Sequence, residues 1–435
     1  MRRPSNPAHA TRRPMSLAGL AQGAGVHLAA RVAAMALGLA LMVVVARLGP
    51  AVQGAFALFL AAEAVLLTLC SGFGLALARR VSHHGEDPGA PLRAWLVVAL
   101  ATGGVAALAL WALGVVAQGT TYGALVWLAP AAPLLLLVPT ASGLWLGRGR
   151  MAQLAAPQVA LPLVALVALA LLAAWRGDAT GWFDVLAAWV ASRVFVALGT
   201  TAWALREAPA SRPARRVALR RDLGFVVAVG AANVVGVLNY RVPLFLVERG
   251  AGIEATGVYA VAVQVGELPW LLSAALSVAA YRRIGESDAA RAARTALAAA
   301  RWGVVAALAA APLLVLAAWA LLPPLLGVAY AGAWRPLALL MPGVVLYAAA
   351  SGLSAYFTNH LGRPQWPAWI AALSLTLNSL GCLWAVPRHG LAGAALSTSA
   401  SYALAMVFAL ALFLRATGLP LRALWRRPPD PQSAP

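Results

Sequence analysis

Twelve long apolar stretches separated by short polar connections run the length of this 435-residue chain. They cover residues 16–46, 51–78, 92–117, 123–147, 154–175 and 182–205, then 223–247, 255–280, 296–322, 335–359, 366–386 and 391–415. A bilayer core of roughly 30 Å is crossed by about 20 apolar residues of α-helix, so the pattern predicts an all-α integral membrane protein of about twelve spans. Pro133, Pro139, Pro162, Pro243, Pro269, Pro312 and Pro342 fall inside spans. They are expected to kink helices rather than end the spans, because neighbouring helices satisfy the freed carbonyls. Residues 1–15 read as a disordered basic tail. The apolar run behind them is too long for a signal peptide's core and is expected to remain as the first span. A polar connection at 206–222 divides the spans into halves at 16–205 and 223–415, with a second tail at 416–435. Another connection, Glu286–Trp302, reads as a surface helix whose Arg291 and Arg294 anchor to lipid headgroups.

Composition supports a membrane protein: 62% of residues are hydrophobic and 11% charged, with mean hydropathy +0.81. All 33 basic residues are arginine. Twenty-five lie in the two tails and every second connection, whereas the alternate connections hold Arg47, Arg176, Arg249, Arg335 and Arg388. Loops rich in Lys and Arg stay cytoplasmic, so both termini are expected in the cytoplasm. The net charge of +20 then faces anionic lipid rather than nucleic acid. The connections on the arginine-poor side are short and leave no room for an outer catalytic domain. Cys70 and Cys382 lie in apolar runs and read as packing residues. The sixteen tryptophans fall mostly near span ends, as interfacial anchors do. No Walker A loop, HExxH, GxSxG or paired-cysteine motif occurs. No catalytic residue, metal or cofactor is expected, and the chain reads as a transporter rather than an enzyme.

The two halves repeat. RLGPAVQGAFALFLAAE, ending at Glu63, aligns with RGAGIEATGVYAVAVQVGE, ending at Glu267. Gly54 and Phe56 match Gly257 and Tyr259, and each glycine precedes an Arg-Arg pair by 25 residues (Arg79–Arg80, Arg282–Arg283). Further on, Ala141-Ser142-Gly143-Leu144 matches Ala350-Ser351-Gly352-Leu353. Six spans per half give both halves the same orientation, as in transporters built from parallel repeats.

Three arginines, Arg31, Arg193 and Arg241, lie within spans, as do Glu63 and Glu267. A charge at the bilayer centre costs at least about 2.5–3.5 kcal/mol on insertion scales, so each is expected to face a wet cavity or a partner. Pairing is one reading: Arg31 with Glu63, and Arg193 or Arg241 with Glu267 across the halves. Contact with an anionic substrate is the other. Arg241 sits in Asn239-Tyr240-Arg241-Val242-Pro243, nearer the outer end of its span. Snorkelling outward is open to it, and Asn239 and Tyr240 join it as cavity candidates. His27 lies one turn before Arg31, as a proton sensor or a satisfied buried histidine.

Four segments carry a resemblance: ARLGPAVQGAFAL; NYRVPLFLVERGAGIEATGVYAVAVQVGELPWLL; YAGAWRPLALLMPG; and VPRHGLAGAALSTSASY. In this order the chain resembles bacterial polysaccharide flippases of the multidrug/oligosaccharidyl-lipid/polysaccharide (MOP) exporter superfamily. The resemblance implies two six-helix lobes around a central cavity that opens alternately to each side of the inner membrane. It also implies, as substrate, an oligosaccharide on a polyprenyl pyrophosphate, bound for O-antigen, exopolysaccharide or capsule. Arg31 fits the family's cavity arginines, with Arg193 and Arg241 beside it and Glu63 and Glu267 as charge partners or proton carriers. Other polysaccharide-assembly proteins are candidate partners. Close relatives often carry an acid where Pro243 stands, so an ion-coupling role at that place does not carry over. The rival readings are a drug or cation exporter of the same superfamily, a membrane-embedded glycan transferase, ligase or polymerase, and a non-transporting scaffold. Acidic cavities would mark the first, and large outer loops the second.

Overall fold

The computed structural model describes residues 17–83, 86–209, 219–285 and 288–424, among which there is no β-strand. Among these residues, eleven helices are long and apolar enough to cross a membrane. The last, Gln365–Thr417, contains Gly390 at φ 54°, ψ −132°, a backbone conformation that only glycine adopts without strain. It is therefore two spans, and the total is twelve. In order they are α1 (Leu17–Ala46), α2 (Pro50–Ser82), α3 (Gly89–Val116), α4 (Thr121–Arg148), α5 (Met151–Arg176) and α6 (Trp182–Glu207). The second set is α7 (Arg220–Ala251), α8 (Ile253–Ser277), α9 (Ala289–Leu326), α10 (Val328–His360), α11 (365–389) and α12 (391–417).

The expected surface helix at Glu286–Trp302 is instead the opening of α9. Asp288 caps it, accepting hydrogen bonds from the backbone N–H groups of Ala290 and Arg291 at 3.0 and 3.1 Å. The Arg291 N–H and then the Ala290 N–H hold that carboxyl below the usual range. The alanine-rich stretch after this cap, free of Gly and Pro as far as Trp302, gives the helix no reason to stop at the membrane surface. Pro139, Pro162, Pro243, Pro312 and Pro342 sit inside helices as expected. The tail at 1–15 and most of the connection at 206–222 lie outside the described residues.

Helices α1–α6 pack chiefly among themselves, as do α7–α12, with α2, α7 and α8 meeting between the two lobes. The repeat explains where. Gly54 of α2 and Gly257 of α8, matched in the alignment, face one another. A Cβ on Gly54 would run into the Ile253 carbonyl, and one on Gly257 into the Pro50 carbonyl. Glycine thus lets two backbones cross on the axis that relates the lobes. The crossing lies toward the end of the bundle that carries few arginines. Around it Met42, Ala46 and Leu58 of the first lobe share one buried cluster with Leu244, Val247 and Tyr259 of the second.

Two more contacts close that arginine-poor end. Arg47 donates from Nε to the Leu325 carbonyl at 2.8 Å, joining α1 to α9. Tyr122 at the start of α4 donates to Glu248 of α7 at 2.6 Å, and its ring stacks on Phe245 at 6.2 Å. At the arginine-rich end the lobes meet mainly along α2 and α7. There Arg80 pairs with Asp222 at 2.6 Å, Asn233 donates to Ser71 at 3.0 Å, and the Arg79 guanidinium lies over Phe225.

Candidate functional site

A cavity of about 250 Å³ lies between the lobes, beside the glycine crossing. Met35 and Gly38 of α1, Gln53 of α2, Trp189 of α6, and Arg241, Gln264 and Glu267 of the second lobe line it. Each intramembrane charge can now be placed.

Glu63 does not pair with Arg31. Its partner is Arg193, whose Nε lies 2.5 Å from Oε1, while Trp189 donates to the other carboxylate oxygen at 2.9 Å. The Arg193 guanidinium also lies 4.5 Å from the Trp189 ring centroid. Trp189 and Arg193 are four residues apart on α6 and therefore share a face. Packing of α6 against α2 delivers both to Glu63, which is 1% exposed. This knot belongs wholly to the first lobe, and Arg193 does not line the cavity. Of the two partners expected for Glu267, Arg241 is the one found, and with Arg193 on Glu63 each lobe holds a pair of its own.

Arg241 and Glu267 form the second pair, at 3.8 Å, with side chains 35% and 25% exposed. Both face the cavity. Helix α7 continues to Ala251, which puts Arg241 about 15 Å from its end at 1.5 Å per residue. Arg241 is thus nearer the arginine-poor end of its helix than the other, as expected, yet well inside it. Glu267 ends the first piece of α8, Ile253–Gly266, and a new helix begins at Pro269. Proline removes a backbone donor at this point, so the helix breaks beside the carboxylate. Broken helices at membrane depth are tolerated where they line a cavity, and transporters place binding sites at them.

Arg31 is exposed on α1, and among the described residues nothing pairs with it. It lies about 22 Å from Ala46, in the arginine-rich half of a roughly 30 Å core. Met35, one turn further along the same face, lines the cavity. Of the remaining candidates, Tyr240 lines the second-lobe cavities, Asn239 is fully buried and lines none of the cavities described, and the side chain of His27 lies outside the described residues. Cys70 and Cys382 are buried and unpaired.

Sequence reasoning missed an aromatic cluster. Tyr240, Trp270, Tyr347 and Tyr402 come from α7, α8, α10 and α12, with neighbouring ring centroids 4.6–6.3 Å apart. The Tyr240 hydroxyl donates to that of Tyr347 at 3.3 Å. These rings stand beside Glu267, and Tyr240, Trp270 and Tyr402 line a small gap with it. The cluster divides the charged central cavity from a larger one of about 650 Å³ within the second lobe.

Scanned as a sequence, the chain matches no family model and no curated protein. Solved structures do match. A MATE family multidrug resistance transporter of the MOP superfamily, in an inward-facing conformation, has TM-score 0.73 at 17% identity over 91% of this chain and 98% of its own. The lipid II flippase MurJ, in an inward closed conformation, has TM-score 0.73 at 12% identity over 92% of this chain and 88% of its own. A MOP superfamily transporter from Pyrococcus furiosus, described as having a binding pocket of reverse polarity, has TM-score 0.66 at 16% identity over 94% and 96%. At such identities the likeness is one of fold, and this twelve-span chain has the fold of the MOP superfamily transporters.

Proposed function

We propose that the chain is a flippase that moves a polyprenyl-pyrophosphate-linked glycan across the bacterial inner membrane, for surface polysaccharide synthesis. The observation that carries this reading is the unpaired Arg31 guanidinium, set inside the membrane on the helix face that leads to the interlobe cavity. A cation at that depth is expensive without a counter-charge, and an anionic headgroup entering between the lobes supplies one. Arg241, held loosely by Glu267, is the next cation on the way. The diphosphate would draw it from its carboxylate, and the lobes would then rock about the α2–α8 crossing. The prenyl tail stays in lipid while the head crosses. The skewed arginine distribution supports cytoplasmic termini, hence loading from the arginine-rich side.

One observation favours a second reading, export of an organic cation: Glu267 stands among Tyr240, Trp270 and Tyr402, an arrangement that suits a positive charge. Reconstitution in proteoliposomes separates the two. The flippase reading expects translocation of the glycolipid pool extracted from the source cell's membranes and no uptake of ethidium. Ethidium transport without glycolipid movement overturns it.

A further inference from the structure

We propose that the cavity of the second lobe is a subsite for uncharged, hydroxyl-bearing sugar rings, separate from the arginine site that takes the diphosphate. The inference rests on the flippase reading and names which part of the substrate goes where. The cavity, about 650 Å³, lies between α7, α10, α11 and α12 with Thr68 of α2 at its edge. That volume is in the range of sites that enclose small organic ligands, roughly 300–1,000 Å³.

Its lining contains no charged residue. Polar groups come instead from Asn233, Tyr240, Tyr347, Ser351, Ser354 and Thr358, set in an otherwise apolar wall that includes Phe357. A diphosphate or an ammonium group finds no counter-charge there. A sugar ring finds hydroxyls and amides for its edge, and apolar or aromatic surface for its C–H faces.

The backbone of α10 gives independent support. Its helix ends at Tyr347, restarts at Ala350–Ala355 and then widens into a π-helical turn at Tyr356–His360. The two irregularities flank Ser351 and Ser354, and Thr358 lies in the π turn itself. Non-helical backbone at membrane depth belongs beside cavities, and π turns recur at functional sites. Among the described residues no hydrogen bond occupies the Ser351 and Ser354 hydroxyls, although both line the space. The first lobe lacks this arrangement. Its matching Ala-Ser-Gly-Leu places Gly143 hard against Gly74 of α2, and Ser142 lines none of the cavities described.

The test uses the full-length protein with single added cysteines, the native Cys70 and Cys382 being buried. Ser354→Cys reports on the uncharged cavity, with Ser351→Cys as a second reporter if the first does not fold. Gln264→Cys reports on the charged cavity. A neutral thiol reagent labels each in the presence of the extracted native glycolipid, the free glycan released from it by mild acid, or farnesyl pyrophosphate. At ten times Kd an occupied site slows labelling about tenfold. The proposal expects that slowing at Ser354→Cys with glycolipid and with free glycan, and none with farnesyl pyrophosphate. Protection by farnesyl pyrophosphate, or no protection by either sugar-bearing probe, overturns it. If Gln264→Cys is still protected by glycolipid and farnesyl pyrophosphate, the flippase reading survives that failure. If Gln264→Cys is also unprotected, the reading falls as well.

Discussion

Glu63 and Glu267 lie nine and ten residues beyond the matched glycines Gly54 and Gly257, one position out of register, and they meet different surroundings. Glu63 lies inside an unbroken helical segment, Pro50–Leu69, and is sealed by Arg193 and Trp189. Glu267 lies at a helix break and lines a cavity, and it holds Arg241 at 3.8 Å. The difference lies in what packs beside each glutamate. In the first lobe α6 brings an arginine and a tryptophan on one face. In the second lobe the arginine comes from α7, which borders the interlobe space. A pair whose carboxylate is sealed from the cavity serves the fold, whereas one with both members on the cavity can exchange its partner for substrate. The two halves thus each carry an acid near the same level, one acting as a fastening and the other as part of the site.

The largest effect expected from breaking this comparison is at Glu63. Glu63→Ala leaves the largely covered Arg193 guanidinium without its carboxylate, which costs up to about 3 kcal/mol. It is read as a lowered Tm or loss of monodisperse protein. Adding Arg193→Met restores most of that stability, since apolar replacement of a whole buried pair is often neutral. Next comes the crossing on which both lobes turn. Gly257→Ala drives a methyl into the Pro50 carbonyl, costs up to about 3 kcal/mol and loosens the arginine-poor end. A cysteine replacing the buried Gln53 should then label faster from that side, and an unchanged rate counts against the crossing as the closure. Tyr122→Phe removes one hydrogen bond to a carboxylate at that end, worth about 1.5 kcal/mol, and should raise the same labelling rate by less. Smallest in stability is Glu267→Gln, expected to cost less than about 1 kcal/mol because the pair is partly solvated. Its effect belongs to transport. A Tm fall as large as that of Glu63→Ala would erase the contrast between the lobes.

Much of this architecture was legible in the residues. Length and hydropathy gave the spans, because a bilayer imposes both. The repeat singled out Gly54 and Gly257, and Pro269 marked the break beside Glu267. Which arginine meets which acid was not legible. Arg31 seemed closest to Glu63 in sequence, but α1 packs on α5, and α6 lies where Arg193 reaches Glu63. Helix neighbours are chosen by the fit of many small residues and leave no local signal. The aromatic cluster was hidden for the same reason, since its four rings come from four helices. The uncharged cavity was hidden too: Ser351 and Ser354 look like ordinary small residues until the interruptions of α10 are seen beside them.

The central claim is that Arg241 serves the substrate while Arg193 serves the fold. The most direct measurement follows Tm and glycolipid translocation in proteoliposomes for Arg241→Gln. The expected result is a Tm within a few degrees of the parent, about 1 kcal/mol or less, with translocation lost. Translocation at the parent rate, or a collapse of stability like that of Glu63→Ala, would contradict the claim.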